Sequence, residues 1–328
     1  MAPGYIYLQY MLSIIIPYHN EGVKFIMETL DSLISTIDIS DYEIIIIDDH
    51  SDEKLLLDNY ESVKVIRHDV HRGVGAAFDS GVKLAKYPRL FLMGSDIRFL
   101  NNQWASKIVK SIDDNQKSLI AVTCVGINKD NMDPSKGKHL RRNGATILMF
   151  HDHKNDSKKD KTFRNIIEAK WLPVDNSRTE AYEIPCILGA SYGVSKEWYE
   201  YIDGFAGHKT WGTLEPYISL KSWLFGGNCI LEPNIATAHI FKAKGTHSIP
   251  PCHMIYNKLL VASLLFDEKD RDRLIDFLGM NKYVFIARNL YTKNSEFIER
   301  KRKEYQSKIV FSVREFCKKF NIDFRDKK

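Results

Sequence analysis

Four short segments of this sequence concentrate side chains that can hold a ligand. Pro17-Tyr18-His19-Asn20-Glu21, Asp48-Asp49-His50-Ser51, His68-Asp69 and Gly94-Ser95-Asp96 each follow directly on an apolar run. Carboxylates, amides and hydroxyls in such places can accept a ligand's N–H groups or hold a hard cation. Asp and Ser also cap helices, and capping alone would account for one such segment. Four together exceed what capping asks for. They point to a binding site outside the carboxyl ends of parallel strands, where open α/β sheets bind their ligands.

The stretches around them must do the positioning. Residues 12–17, 42–47, 63–67 and 90–93 are continuous apolar or β-branched runs, which read as buried strands. Residues 23–37, 75–85 and 101–117 read as helices, and in the first Phe25, Ile26, Leu30, Leu33, Ile34 and Ile37 share a face. Residues 55–60 suggest one more short helix. Strands alternating with helices predict an α/β protein with a mostly parallel sheet covered on both faces. Further strands are expected at 119–125, 188–194, 227–231 and 235–240, and a helix at 215–225 that Gly226-Gly227 stops. Residues 151–161 are polar and aperiodic, so His151 and His153 fall in a loop among lysines. Beyond Pro250-Pro251, residues 254–266 form an apolar helix and 295–320 an amphipathic one. In the latter Ile309, Val313, Phe316 and Phe320 share one face, and the other is basic.

Several classes are excluded. With 44% apolar and 27% charged residues, the 328-residue chain is neither collagen-like, a disulfide scaffold nor wholly disordered. The five cysteines are odd in number and widely spaced, which speaks against a zinc knuckle and for a reducing compartment. The opening MAPGYIYLQY has no basic n-region, and residues 12–17 are too short to span a bilayer. Together these predict a cytoplasmic protein with no transmembrane span. No G-x-x-x-x-G-K-[ST] occurs, so a P-loop is absent. Gly73-Val-Gly75-Ala-Ala-Phe78 lacks the third glycine of a dinucleotide fingerprint and follows the third strand, not the first.

The strings SIIIPYHNEG and EIIIIDDHSDE, with the Gly/Ala-spaced run from Gly73 to Ala85, resemble family 2 glycosyltransferases of the GT-A fold. The resemblance implies that the strand ends hold the nucleotide of a UDP-sugar. Pro17, Tyr18, Asn20, Glu21, Asp48, Asp49, Arg72, Gly73 and Ser95 are the residues it places there. A carboxylate can accept the uracil N–H, while backbone donors and a basic side chain can face the diphosphate. The family's Asp-x-Asp or Asp-x-His is reduced here to Gly94-Ser95-Asp96, leaving Asp96 as the one carboxylate.

Residues 186–266 resemble the polypeptide N-acetylgalactosaminyltransferases. The matching string is Trp211-Gly212, Ile218-Ser219-Leu220-Lys221, Trp223, Gly226-Gly227, Pro233 and His239-Ile-Phe241-Lys242, then Asn257 to Ala262. By that resemblance His239 is a metal ligand with Asp96, for Mn2+ or Mg2+. Leu214 stands where the family has glutamate, so Glu215 becomes the catalytic carboxylate beside Asp96. It could serve as general base in an inverting transfer or contact sugar in a retaining one. Trp211 would wall the sugar. Lys242, on a loop with Lys244 and a Gly245 hinge, would face the diphosphate and close over the donor.

The expected function is transfer of a sugar from UDP-sugar to a hydroxyl of a saccharide or protein, with metal-assisted departure of UDP. Two rivals stay open: a hydroxylated DNA base as acceptor, flipped out or single-stranded, and a non-catalytic nucleotide-sugar or glycan-binding protein. The expected organisation is a GT-A domain over 1–266, with a nucleotide half at about 12–112 and a sugar and acceptor half at about 113–266. A basic helical extension over 267–328 follows. The net charge of +5 is uneven, since residues 281–328 hold 14 basic and 6 acidic side chains. A basic amphipathic tail suggests contact with an anionic surface.

Overall fold

The computed structural model describes residues 10–127, 141–149, 166–240 and 249–324. In chain order the elements begin β1 (Met11–Tyr18), α1 (Val23–Thr36), β2 (Asp41–Asp48), β3 (Val63–Arg67), α2 (Val74–Leu84), β4 (Arg89–Met93) and β5 (Ile97–Phe99). Then come α3 (Trp104–Asp114), β6 (Ser118–Ile127), β7 (Arg141–Leu148), β8 (Glu168–Pro173), β9 (Tyr182–Glu183), β10 (Ser191–Ser195), α4 (Lys196–Tyr201), α5 (Leu214–Leu224) and β11 (Asn228–Ile240). The chain closes with α6 (Pro251–Leu265), α7 (Glu268–Phe277), α8 (Lys282–Lys293), α9 (Ser295–Lys308) and α10 (Val313–Lys319).

The expected α/β architecture is what the chain adopts. One sheet runs in the order β3-β2-β1-β4-β10-β6-β11-β5. The pairs β1–β2, β2–β3, β1–β4 and β6–β11 are parallel, while β10 and the outer strands add antiparallel pairs. Strand alternation builds both cores. Ile14, Ile16, Ile44 and Ile46 point to the α1 and α3 side, with Ile26, Leu30, Leu33 and Ile108. Ile15, Ile45 and Ile47 point to the other side, with Ala77, Phe78, Tyr217 and Leu260 from α2, α5 and α6. A side-chain period of two is what lets one continuous isoleucine run serve both faces.

Several elements differ from the sequence reading. Residues 55–60 form no helix: Asp58-Asn59 turn the chain, Leu55 is buried, and Tyr60 Oη donates to Asp31 Oδ1 at 2.6 Å. The two strands expected at 227–231 and 235–240 are one strand, β11, whose register shifts between Glu232 and Ala236 around Pro233. The helix expected at 295–320 is two, α9 and α10. The break arises because Val310 and Phe311 give their N–H groups to Leu224 O at 2.8 and 3.3 Å. Ser312 then opens a new helix through a capping box with Glu315.

Part of the basic tail is engaged with the body: Lys301 pairs with Asp203 and Lys319 with Glu183, Lys308 donates to Tyr201 O, and Arg302 donates to Ser263 O and Phe266 O. Arg314 pairs with Asp270 inside the extension itself. Among the described residues no helix is long and apolar enough to cross a membrane. All five cysteines are free thiols.

Candidate active site

The register sets the site. Tyr18 pairs with Asp48 and Asp48 with Arg67, so the parallel strands end level. Outside those ends lies a cavity of about 520 Å³. Pro17, Tyr18, Glu21, Asp49, Gly73, Ser95, Asp96, Trp211, Glu215 and His239 line it, bringing most of the sequence-predicted site into one place. Asn20, Asp48 and Arg72 do not line it, and Lys242 lies outside the described residues.

The three that miss the cavity have visible occupations. Asp48 is fully buried; it accepts the Ser51 N–H at 2.9 Å and pairs with Arg67 at 2.5 Å. Burial pushes this carboxyl up, but the Ser51 hydrogen bonds and the Arg67 guanidinium outweigh it and hold it below the usual range. Asn20 bridges the β1 and β2 loops, taking the Asp52 N–H at 2.9 Å. Arg72 is exposed and contributes its backbone N–H, at 2.9 Å from Asp49 Oδ1.

Asp49 gathers one end of the cavity. Its carboxylate accepts from Gly73 N at 2.6 Å, lies 2.7 Å from His68 Nδ1 and 3.0 Å from His71 Nδ1. His19 and His71, neither singled out as a site residue from the sequence, also line the cavity. Their rings sit 4.2 Å apart. Burial, then the neighbouring His71, lowers the His19 pKa. Cys124, which also lines the cavity, is held as a thiol, its pKa pushed up to about 12 by burial and then by Asp96.

Asp96 and His239 are joined by strand pairing. β5 runs antiparallel to β11 with Ile97 opposite His239, and the Ile240 N–H donates to Asp96 O at 3.1 Å. Asp96 Oδ1 consequently lies 3.3 Å from His239 Nε2. Behind them Thr29 Oγ1 donates to Ser95 O at 2.7 Å, and Arg98 links Thr29 to Glu28. Two donors sharing an octahedral ion at about 2.1 Å stand about 3.0 Å apart. The pair therefore fits one hard or borderline divalent ion. Among the described residues no group of three or more His, Cys, Asp or Glu gathers for a metal. The other positions on such an ion would fall to ligand oxygens and water.

Glu215 stands in the first turn of α5, against Gly189. A Cβ on Gly189 would lie 2.6 Å from Glu215 Oε1, so the glycine is needed for that approach. The strand expected at 188–194 begins only at Ser191, after a turn at residues 189–190. Burial raises the Glu215 pKa, and the backbone N–H groups at Glu215 and Gly189 oppose it. The loop before α5 has positive φ at Thr210 (40°), Gly212 (94°) and Thr213 (65°), which turns half-exposed Trp211 toward the cavity. Gly73 abuts this loop. A Cβ there would stand 2.2 Å from Thr210 Cα, and the Val74 N–H donates to Thr210 O at 3.2 Å. Trp171, from β8, lines the same cavity and carried no sequence signal because β8 is half-exposed and lacks a run of apolar residues.

A mostly parallel sheet with a cavity outside its strand ends defines an α/β ligand-binding class of fold, and known proteins say which one. The chain belongs to glycosyl transferase family 2, whose profile matches residues 13–179. It is similar to polypeptide N-acetylgalactosaminyltransferase 3 of Homo sapiens, 25% identical over 277 residues, covering 78% of this chain and 41% of that protein. It thus spans about two fifths of that relative's length. A crystal structure of GalNAc-T7 with UDP, GalNAc and Mn2+ superposes with a TM-score of 0.69 at 19% identity, covering 96% of this chain and 57% of that one. S. aureus TarS 1-349 in complex with UDP gives 0.50 at 16% identity, covering 82% and 71%. The fold is GT-A, with additional helices at the C-terminus.

Proposed function

We propose that this chain transfers a sugar from a UDP-sugar to a hydroxyl of a saccharide or protein. The observation that carries the reading is the Asp96–His239 pair, 3.3 Å apart on the wall of the strand-end cavity that Glu215 also lines. Family membership and the UDP and Mn2+ named for GalNAc-T7 support it. Asp96 and His239 would hold a divalent ion such as Mn2+, which when bound offsets the charge on departing UDP. Asp49, His19 and Gly73 lie where the nucleotide would rest. Trp211 walls the sugar. Glu215 faces the acceptor and, in an inverting transfer, takes its hydroxyl proton. Burial suits that task, since it keeps the carboxylate basic. Residues 267–328 are an extension bolted to a catalytic body over 1–266.

The test is calorimetry with UDP in Mn2+ and in EDTA, followed by UDP release across a panel of UDP-sugars. Metal-dependent binding with turnover of at least one donor is expected. Absence of UDP binding in Mn2+ sinks the reading, and binding with no turnover of any donor would make the chain a nucleotide-sugar-binding protein.

A further inference from the structure

Helix α6 carries two consecutive buried polar side chains, and each ties a different wall of the cavity. Asn257 and Lys258 are both fully buried. Asn257 Oδ1 accepts the Lys209 N–H at 2.9 Å, and its Nδ2 donates to the carbonyls of Lys209, Trp211 and Gly212 at 2.8, 3.2 and 3.1 Å. Those bonds fix the loop that carries Trp211 into α5. Lys258 Nζ donates to Ile166 O at 2.6 Å and pairs with Glu168 Oε2 at 2.7 Å. Those bonds fix the start of β8, the strand that carries Trp171.

Trp171 and Trp211 line the one cavity, at 40% and 41% exposure. The other three tryptophans, Trp104, Trp198 and Trp223, are buried. Packing α6 against its neighbours does not require either polar residue, because apolar side chains of similar volume fill a core as well or better. A loop with two threonines at positive φ, Thr210 and Thr213, by contrast, persists only where its surroundings over-determine it. An amide that satisfies three of the loop's carbonyls does so.

We propose that α6 is a strap that sets the gap between the Trp171 and Trp211 walls, with Asn257 and Lys258 as its positioning residues. Neither touches the cavity; each acts through the segment it holds. The effect falls on the sugar-bearing end of the donor and spares the UDP moiety, which other elements hold. That last consequence rests on the transferase reading. The positioning does not.

Acrylamide quenching reads the two walls separately, because the other tryptophans are buried. In a Trp171→Phe background Asn257→Asp should shift the quenching constant of Trp211 by about twofold. In a Trp211→Phe background the Lys258→Met/Glu168→Gln pair, which leaves no orphaned charge, should do the same for Trp171. Made in the other background, each change should leave the opposite tryptophan unmoved. KM for the UDP-sugar should rise about tenfold with kcat within about threefold, and UDP affinity should stay within about twofold. Asn257→Gln, which keeps both amide groups, supplies the same readout should the aspartate variant fail to fold. Unchanged quenching in both backgrounds overturns the proposal. So does a joint shift of both tryptophans together with the unfolding midpoint, which would mean plain structural support. Failure of wild type to bind UDP would strike the transferase reading and leave the quenching result standing.

Discussion

Asp96 Oδ1 lies 3.3 Å from His239 Nε2 because β5 reverses directly behind the Gly94-Ser95-Asp96 turn and pairs antiparallel with β11. The two side chains face the same cavity, Asp96 from the turn before β5 and His239 from β11. Replacing either by alanine should lower UDP affinity in Mn2+ more than about tenfold and leave affinity in EDTA unchanged. Calorimetry in both buffers measures this. Equal weakening in Mn2+ and EDTA would show that the pair does not serve a metal.

Gly73 is the contact between the start of α2 and the Trp211 loop. Its φ is 95°, and a Cβ would stand 2.2 Å from Thr210 Cα. Gly73→Ala should therefore displace residues 210–213 and destabilise the protein by about 2 kcal/mol or more. Urea unfolding gives the number. A stability within about 0.5 kcal/mol of wild type would mean the loop yields at no cost.

Much of this site was legible because each parallel strand is a continuous apolar run with its polar residues crowded at one end. What spacing could not tell is the direction of a side chain. Asp48 and Asp49 are neighbours with the same chemistry, yet one is sealed against Arg67 and the other lines the cavity. Asn20 and Arg72 brace loops through contacts that no local pattern encodes. The Asp96–His239 pairing was accessible only through family resemblance, since β5 is three residues long and carries no periodic signal. Trp171 was hidden for a related reason: β8 is held by β7 and by Lys258, not by an apolar run of its own.

Glu215 should behave as a half-buried base. Glu215→Gln keeps the shape and removes the proton acceptor, so kcat should fall about 10²- to 10⁴-fold with UDP affinity intact. In wild type, burial raises the carboxyl's pKa, so the acid limb of the rate profile should lie above that of an ordinary glutamate. Rate rises with pH through that limb as the carboxylate forms. A glutamine variant with unchanged kcat would remove Glu215 from the chemistry.

His208 links acidity to the Trp211 loop. It is buried, and its Nε2 lies 2.7 Å from Gly212 O. Burial lowers its pKa to about 4 from 6.5. Between those values the unfolded chain binds a proton that the native chain refuses, so stability is complete above pH 6.5 and falls as pH drops toward 4. The full loss is about 3 kcal/mol. Unfolding free energy against pH, compared with His208→Gln, isolates this slope. Parallel curves for the two proteins would exclude it.

Lys221 reports on the docking of the C-terminal helices. Its Nζ is buried, donates to Asp203 O at 3.1 Å and also to Gly204 O, and lies 4.1 Å from the Tyr217 ring centroid. The same Asp203 takes Tyr305 Oη and Lys301 Nζ from α9, each at 2.7 Å. One turn therefore joins α5 to the extension. Burial lowers the Lys221 pKa to about 7, against the pull of Asp203 and Asp79. From pH 7 to 10.5 the unfolded chain holds this proton and the native chain does not, so the group's contribution makes stability rise with pH across that window. Tyrosines and cysteines raised by burial tilt the total curve the other way at alkaline pH, so the informative quantity is wild type minus Lys221→Met. That difference should climb between pH 7 and 10 and be flat below. A flat difference throughout would mean the lysine stays charged in the native fold, held by its two carbonyls and the tyrosine ring.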